Sequence, residues 1–202
     1  IVDAMSSFGA VDVNVAELDI DFLISSANKC IQGVPGFSFI IARREALTAT
    51  EGNARTISLD LHSQWKTMEK DNGKWRFTSP THVVAAFAQA LRELQQEGGV
   101  TVRGERYAAT NRKLREGMRA LGFEPFVSEA FQGPIITTFL YPAGRNLDFK
   151  HMHHWLKEQG YVIYPGKLTD RDTFRIGNIG EIYDADADRI LELFAQYTKE
   201  FM

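Results

Sequence analysis

The sequence has little of what marks several large classes of protein. It holds one cysteine, Cys30, in 202 residues, so it cannot form an internal disulfide and lacks the cysteine pattern of a small secreted scaffold. No apolar run approaches the roughly 18–20 residues that cross a bilayer. The 23 basic and 26 acidic side chains leave a formal charge of −3, which gives no general attraction to nucleic acid or anionic membrane. We therefore expect a cytoplasmic protein whose partners include neither nucleic acid nor a membrane.

The composition is that of a globular chain. Hydrophobic residues make up 44% and charged residues 24%. This is enough apolar material to bury a core without the support of disulfides or a structural metal. The chain begins at Ile1 rather than at a methionine, and its first residues read as the end of a buried strand. Because termini are usually surface segments, we expect a fragment of a longer protein.

Apolar runs and turn residues predict alternating strands and helices along the chain. Apolar stretches bounded by Gly, Pro and Ser predict strands, at 1–2, 21–25, 37–42, near 126, and at 135–141, 161–164 and 173–176. Helical spacing of apolar residues predicts helices at 58–70, 80–97, 103–121, 148–159 and 185–201. Ser79 is predicted to cap the second helix and Gly98-Gly99 to end it.

This pattern predicts an α/β protein in two blocks. Gly98-Gly99 is the candidate boundary, giving domains at 1–98 and 99–202. The continuous apolar strands of the first block suit a sheet covered on both faces. The second block, with its mixed strands and helices, predicts a smaller α+β domain.

Three residues combine into one chemical hypothesis, although each has an ordinary interpretation. Asp3 ends an apolar strand, where a turn or cap aspartate is the alternative. Lys29 follows a buried strand among small residues, so burial is expected to lower its pKa and favour the neutral amine; the alternative is a lysine whose head reaches water. Arg175 lies in an apolar strand that enters a glycine-rich turn, where its planar fork suits a carboxylate or phosphonate, or a structural salt bridge. A pyridoxal phosphate enzyme needs these three groups: a lysine, an acid beside the ring nitrogen and an anion-binding arginine.

The sequence segments around these residues resemble those of a known family. The strings Val2–Gly9, Ile24–Gly36, Phe77–His82 and Tyr164–Leu168, with the segment around Arg175, resemble class V aminotransferases of fold type I. More narrowly, they are similar to the branch that moves an amino group from 2-aminoethylphosphonate to pyruvate. The resemblance covers essentially the whole chain, as the C-terminal half of such an enzyme. It implies the end of a large, mostly parallel-sheet cofactor domain followed by a small domain.

The resemblance also implies roles for single residues. Lys29 is expected to bind pyridoxal 5'-phosphate covalently and to move the proton. Asp3 is expected to pair with the ring nitrogen, Met5 to lie against the ring and Thr78 to contact the phosphate. Arg175 is expected to bind the anionic group of the amine or 2-oxo acid substrate. A homodimer with a shared active site is implied as well.

Other interpretations stay open at this point. A different class V transaminase, of the alanine–glyoxylate or serine–pyruvate type, would share these residues. Ser26 and Lys29 fit the S-x-x-K pattern of acyl-serine hydrolases, although the companion motifs of those enzymes are absent. A non-catalytic remnant that only dimerises is a third possibility.

Several further patterns are interpreted as structural. No metal site is predicted, because the spacing of His151, His153 and His154 spreads them round a helix. The acids at 184–188 lack the later ligands of a calcium loop and suit a helix N-terminus. The arginines and lysine between Arg103 and Arg119 are interpreted as a solvated helix face, and Cys30 as a small buried residue.

Overall fold

The computed structural model describes residues 1–166 and 170–202. Its contacts divide the chain into two compact units, Ile1–Thr101 and Val102–Met202. Lys167 and Leu168, which belong to one of the family-like strings, lie outside the described residues. No helix among the described residues is long and apolar enough to cross a membrane.

The first unit holds a three-stranded sheet in the order β1-β2-β3. The strands are β1 (Val2–Asp3), β2 (Phe22–Ser26) and β3 (Ser38–Ala42). β1 runs parallel to β2, whereas β3 runs antiparallel to it. The predicted cover on both faces is incomplete in this chain, because Ile40 and Ile41 point to opposite faces of β3 and are 37% and 38% exposed.

Three helices follow in this unit: α1 (Arg44–Thr48), α2 (Leu61–Lys70) and α3 (Thr81–Glu97). α1 was not predicted, because its five residues are too few to show an apolar period. α2 begins three residues later than predicted, since Asp60 caps it by accepting a hydrogen bond from the Ser63 amide. The cap predicted at Ser79 is wrong: Pro80 precedes the first helical residue of α3, without a side-chain cap.

Gly98, in the left-handed conformation, ends α3, and α4 (Gly99–Ala120) begins directly after it. One side of α4 is buried although it is largely polar; its members are Arg103, Tyr107, Thr110, Asn111, Leu114 and Met118. The solvated face predicted for the basic residues is therefore wrong for Arg103, which is only 1% exposed. Arg106 is also half-buried, and its guanidinium donates a hydrogen bond to the Gly180 carbonyl at 2.8 Å.

The second unit packs helices on an antiparallel sheet with the order β4-β6-β5. The strands are β4 (Ile136–Leu140), β5 (Tyr164–Pro165) and β6 (Thr173–Gly177). The helices are α5 (Phe149–Glu158) and α6 (Asp184–Phe201). The predicted strand near Phe126 is a single bridge from Pro125 to Phe139.

The core of the second unit is one large aromatic and aliphatic cluster. Alternation along β4 and β6 sends Phe139, Phe174 and Ile176 to the same face, where all three are buried. Phe174 stacks on Phe194 of α6 at a centroid distance of 5.9 Å. The acids at the start of α6 serve as helix-terminal groups, as predicted, with Asp186 accepting from the Tyr183 amide.

Candidate active site

The parallel pairing of β1 with β2 brings two predicted site residues to one edge of the sheet. Asp3 is the last residue of β1 and pairs with Ile24. Lys29 lies in the turn that follows the last residue of β2, Ser26. Because parallel strands end at the same edge, Asp3 at the end of β1 and Lys29 in the turn after β2 both lie at this edge. Open α/β sheets bind their ligands at the carboxyl ends of strands.

The loop after β1 is tied to β2 by hydrogen bonds. The Ala4 amide donates to the Ile24 carbonyl at 2.8 Å. In return the Ser25 hydroxyl, fully buried, donates to the Ala4 carbonyl at 3.2 Å. The residue directly after Asp3 is therefore fixed against the strand that leads to Lys29.

The loop after β2 closes on itself around Lys29. The Gly33 amide donates to the Ala27 carbonyl at 2.9 Å, and the Gln32 amide donates to the Lys29 carbonyl at 2.8 Å. Only glycine fits at 33, because a Cβ there would lie 2.5 Å from the Ala27 oxygen. The short loop thus holds the Lys29 backbone in one conformation.

Asp3 forms the turn hydrogen bond that was its alternative interpretation, and it also lies at the candidate site. Its Oδ1 accepts a hydrogen bond from the Met5 amide at 2.9 Å, and its side chain is exposed. No cation pairs with its carboxylate among the described residues. The turn bond orients the carboxylate and leaves Oδ2 available to a ligand.

Lys29 is exposed, so the predicted burial is wrong for this chain. The turn leaves the Lys29 side chain exposed to solvent, whereas the neighbouring Cys30 is fully buried, as predicted. Within residues 1–166 and 170–202, no acid or acceptor binds the Lys29 amine. The amine is therefore accessible to a ligand.

The structure does not join the predicted phosphate contact, Thr78, to these two residues. Thr78 is exposed in the segment before α3. No hydrogen bond links Thr78 to Asp3, Met5 or Lys29 in the described part of the chain. The contact of Thr78 with a phosphate stays a prediction.

Arg175 lies in the middle of β6, in the second unit. It pairs with Thr138 of β4 and Tyr164 of β5. Its Nε donates to the Pro165 carbonyl at 3.0 Å, and its guanidinium carbon lies 5.8 Å from the Tyr164 ring centroid. The salt bridge considered as the alternative is not found among the described residues. The terminal nitrogens thus remain available for an anion.

Sequence reasoning missed a buried polar cluster that borders β6. Asn111 of α4, Thr137 of β4 and Asn178 after β6 are all buried and joined by hydrogen bonds. Asn178 directly follows Gly177 and lies two residues before Gly180, a pattern typical of an exposed turn. Only the packing of α4 on the sheet makes these polar side chains internal.

Comparison with known families decides the membership of this chain. The model of the family described as aminotransferase class-V matches residues 1–171. The chain belongs to the class-V aminotransferases. This class-V chain is 58% identical, over 196 residues, to a 2-aminoethylphosphonate–pyruvate transaminase from Bacillus cytotoxicus. It is 57% identical to a protein of the same name from Bacillus thuringiensis.

The class-V chain spans about half the length of these relatives: the match covers 97% of the chain and 53% of each relative. Solved aminotransferases share its fold. Ureidoglycine–glyoxylate aminotransferase from Bacillus subtilis superposes with a TM-score of 0.83 at 23% identity, covering 100% of this chain and 53% of that one. Aspartate aminotransferase from Thermus thermophilus gives 0.83 at 22%, with 99% and 55% covered. The predicted fold type I class is thereby confirmed.

Proposed function

We propose that the protein containing this chain transfers the amino group of 2-aminoethylphosphonate to pyruvate, giving phosphonoacetaldehyde and L-alanine, with pyridoxal 5'-phosphate as cofactor. Relatives at 57–58% identity carry the name of that transaminase. The observation that carries the proposal is the parallel pairing of β1 with β2, which brings Asp3 and Lys29 to one sheet edge.

The residues present suit this cofactor. The described part of the chain offers an exposed amine at Lys29 and a carboxylate at Asp3, neither held in an ion pair. An unpaired amine suits covalent attachment to an aldehyde, and a carboxylate suits a protonated ring nitrogen. When bound, the cofactor supplies an electron sink that makes the C–H bond beside the substrate nitrogen acidic.

Lys29 and Asp3 divide the acid–base work in this proposal. Lys29 would hold the cofactor through its amine. Once free, that amine would remove the proton from the substrate carbon that bears the amino nitrogen and return it to the carbon on the other side of that nitrogen. Asp3 keeps the ring nitrogen protonated through its anionic carboxylate. Met5, half-buried next to Asp3 in the chain, is proposed to lie against the ring, and Thr78 to bind the phosphate.

Arg175 is proposed to bind the anionic group of either substrate. A phosphonate and a carboxylate both present paired oxygens to a planar guanidinium. The hydrogen bond from Nε to Pro165 fixes the side chain and leaves the terminal nitrogens for the ligand. Holding the anion orients the reacting C–H bond, which is the effect of positioning on rate.

The organisation of the whole protein is part of the proposal. Residues 1–98 form the end of the cofactor-binding domain and residues 99–202 a small domain. The enzyme is proposed to be a cytoplasmic homodimer with a shared active site. Ile57, Leu59 and Phe77, the last next to Thr78 in the chain, are exposed by 74%, 81% and 55%, which supports a contact with a part of the whole protein outside this chain.

The experiment uses the full-length protein loaded with pyridoxal 5'-phosphate. The amino-acid product is measured for each substrate pair: L-alanine with 2-aminoethylphosphonate and pyruvate or with serine and pyruvate, and glycine with alanine and glyoxylate. Turnover with 2-aminoethylphosphonate is expected. Activity only with one of the other pairs would favour a transaminase of the alanine–glyoxylate or serine–pyruvate type and contradict our choice of substrate.

The acyl-serine hydrolase alternative is less well supported. Ser26 is the last residue of β2, where it pairs with Ser38 of β3, and the chain belongs to a transaminase family. An acylating probe is expected to leave Ser26 unmodified. Peptide mass spectrometry after treatment measures this.

A further inference from the structure

The chain directly after β6 is anchored by a buried asparagine, three residues beyond Arg175. Asn178 is fully buried. Its amide donates to the Ile135 carbonyl at 2.9 Å, which extends the ladder of β4 and β6 by one step beyond Gly177. The backbone of Asn178 thus closes this end of the sheet.

The side chain of Asn178 joins three segments of the second unit. Its Nδ2 donates to the Tyr107 carbonyl of α4 at 3.0 Å and to the Pro134 carbonyl at 2.9 Å. Its Oδ1 accepts from Asn111 Nδ2 at 3.0 Å. Both donor hydrogens and the acceptor are therefore used. Together these bonds fix the end of β6 to α4 and to the segment before β4.

Asn111 continues the network into the sheet. Its Nδ2 also donates to Thr137 Oγ1 at 3.1 Å, and its Oδ1 accepts from Arg115 Nε at 2.9 Å. Buried polar groups cost desolvation free energy, and apolar residues of similar volume often stabilise a core at least as well. A contribution to stability therefore does not explain why this network is polar, whereas a role in fixing the register of β6 does.

The register of β6 determines what Arg175 can reach. Side chains alternate along the strand, so Phe174 and Ile176 face the core while Arg175 points to the other side. A slip of one residue would send Arg175 into the core, and smaller shifts would displace the guanidinium from Pro165. Displacements of about 1 Å cost reactivity when a group must orient a substrate.

We propose that Asn178 is a positioning residue for Arg175. It holds the C-terminal end of β6 in one register so that the guanidinium meets the anionic group of the substrate. This inference rests on the proposed function, in which Arg175 binds that group.

The test compares Asn178→Asp with Thr137→Val in the full-length holoenzyme. Asn178→Asp keeps the size of the side chain and replaces the two N–H donors by an oxygen that faces two carbonyls. Thr137→Val is the matched control, because it removes one bond of the same network and leaves the three bonds of Asn178 in place. The measurements are KM for 2-aminoethylphosphonate, kcat, the Kd of phosphonoacetate by calorimetry, and Tm.

Asn178→Asp is expected to raise KM and Kd by about tenfold and to lower kcat as well, because the displaced guanidinium holds the anion less tightly and orients the reacting C–H bond less well. Thr137→Val is expected to lower Tm and to leave KM and Kd within about twofold. Equal KM and Kd values in the two variants would overturn the positioning role. If Asn178→Asp does not fold, Asn178→Ser, which adds no charge, answers the same question.

Arg175→Ala separates failure of this inference from failure of the proposed function. If Arg175→Ala raises KM and Kd but the Asn178 variant does not, only the positioning role is overturned. If Arg175→Ala leaves both constants unchanged, Arg175 does not bind the substrate, and both the proposed role and this inference are wrong.

Discussion

At the residue scale, the proposed chemistry depends on one primary amine. Lys29 is exposed and, among the described residues, unpaired. We expect Lys29→Ala in the full-length enzyme to abolish the visible absorption band of covalently bound pyridoxal phosphate. Loss of proton transfer alone should lower kcat by about 10²–10⁴-fold. Absorption spectra and steady-state rates measure the two effects.

Lys29→Arg is the control for charge. A guanidinium keeps the positive charge but stays protonated and does not attack an aldehyde. It should therefore lose the band and the activity as fully as alanine does. A band that survives in either variant would show that another group holds the cofactor.

At the element scale, the loop from Ala27 to Gly33 positions the Lys29 backbone. A Cβ at Gly33 would lie 2.5 Å from the Ala27 carbonyl oxygen, a backbone atom that cannot turn away. We expect Gly33→Ala to lower the free energy of unfolding by about 1–3 kcal/mol and to weaken cofactor binding. Urea titration and cofactor titration of the full-length protein measure these changes.

Gly133→Ala is the matched control for that change. Gly133 has open space around its position for a Cβ and no left-handed backbone. The free energy of unfolding should change by about 0.5 kcal/mol or less. Similar losses in the two variants would mean that the close approach to Ala27 does not matter.

The carboxylate of Glu129 bridges two arginines of α4, Arg115 and Arg119, and makes the stability of the second unit depend on pH. Hydrogen bonds from Arg119 and then Arg115 lower the pKa of Glu129, and Arg119 lies 2.6 Å from its Oε1. A carboxyl whose folded pKa is lowered stabilises the fold above its unfolded pKa, and this contribution disappears as the pH falls through the folded pKa. Glu129→Gln should thus be less stable than wild type at neutral pH and equal to it in acid.

Urea midpoints measured from neutral pH down to about pH 3 test this dependence. Glu105→Gln, which makes the same charge change at an exposed position of α4, is the control for the loss of one negative charge. A constant difference for Glu129→Gln would contradict a role for the carboxylate charge.

Local sequence patterns predicted the positions of helices and strands better than they predicted the burial of individual side chains. Runs such as Phe22–Ser26 and the capped helix Phe149–Glu158 follow from strand propensity and helix capping, so their positions were predictable. The burial of Arg103 and Asn178 depends on how α4 packs, which no short window encodes. The exposure of Lys29 likewise depends on the turn that carries it. The shared role of Asp3 and Lys29 was suggested by the family resemblance, whereas each residue taken alone also had an ordinary interpretation.

At the scale of the whole molecule, the two units differ in how much core each holds. The second unit buries a large cluster that includes Phe123, Phe139, Phe174 and Phe194. The first unit holds a small cluster at Ile31, Ala90 and Leu94, and its other buried apolar residues include the small Ala4, Ala10 and Ala27. Burial of apolar area is the main favourable contribution to folding. The second unit should therefore be the more stable when it is separated.

We expect the fragment 99–202, cut between α3 and α4, to unfold cooperatively in urea with a near-ultraviolet circular dichroism signal. The fragment 1–98 exposes apolar residues on both faces of β3, Ile40 and Ile41 among them. It should bind the dye ANS and lack a cooperative transition, as loosely packed chains do. A cooperative transition in 1–98 with no dye binding would show that its sheet is stable without further cover. Failure of 99–202 to fold would show that its core needs the first unit, because the cluster around Phe174 would then be too small on its own.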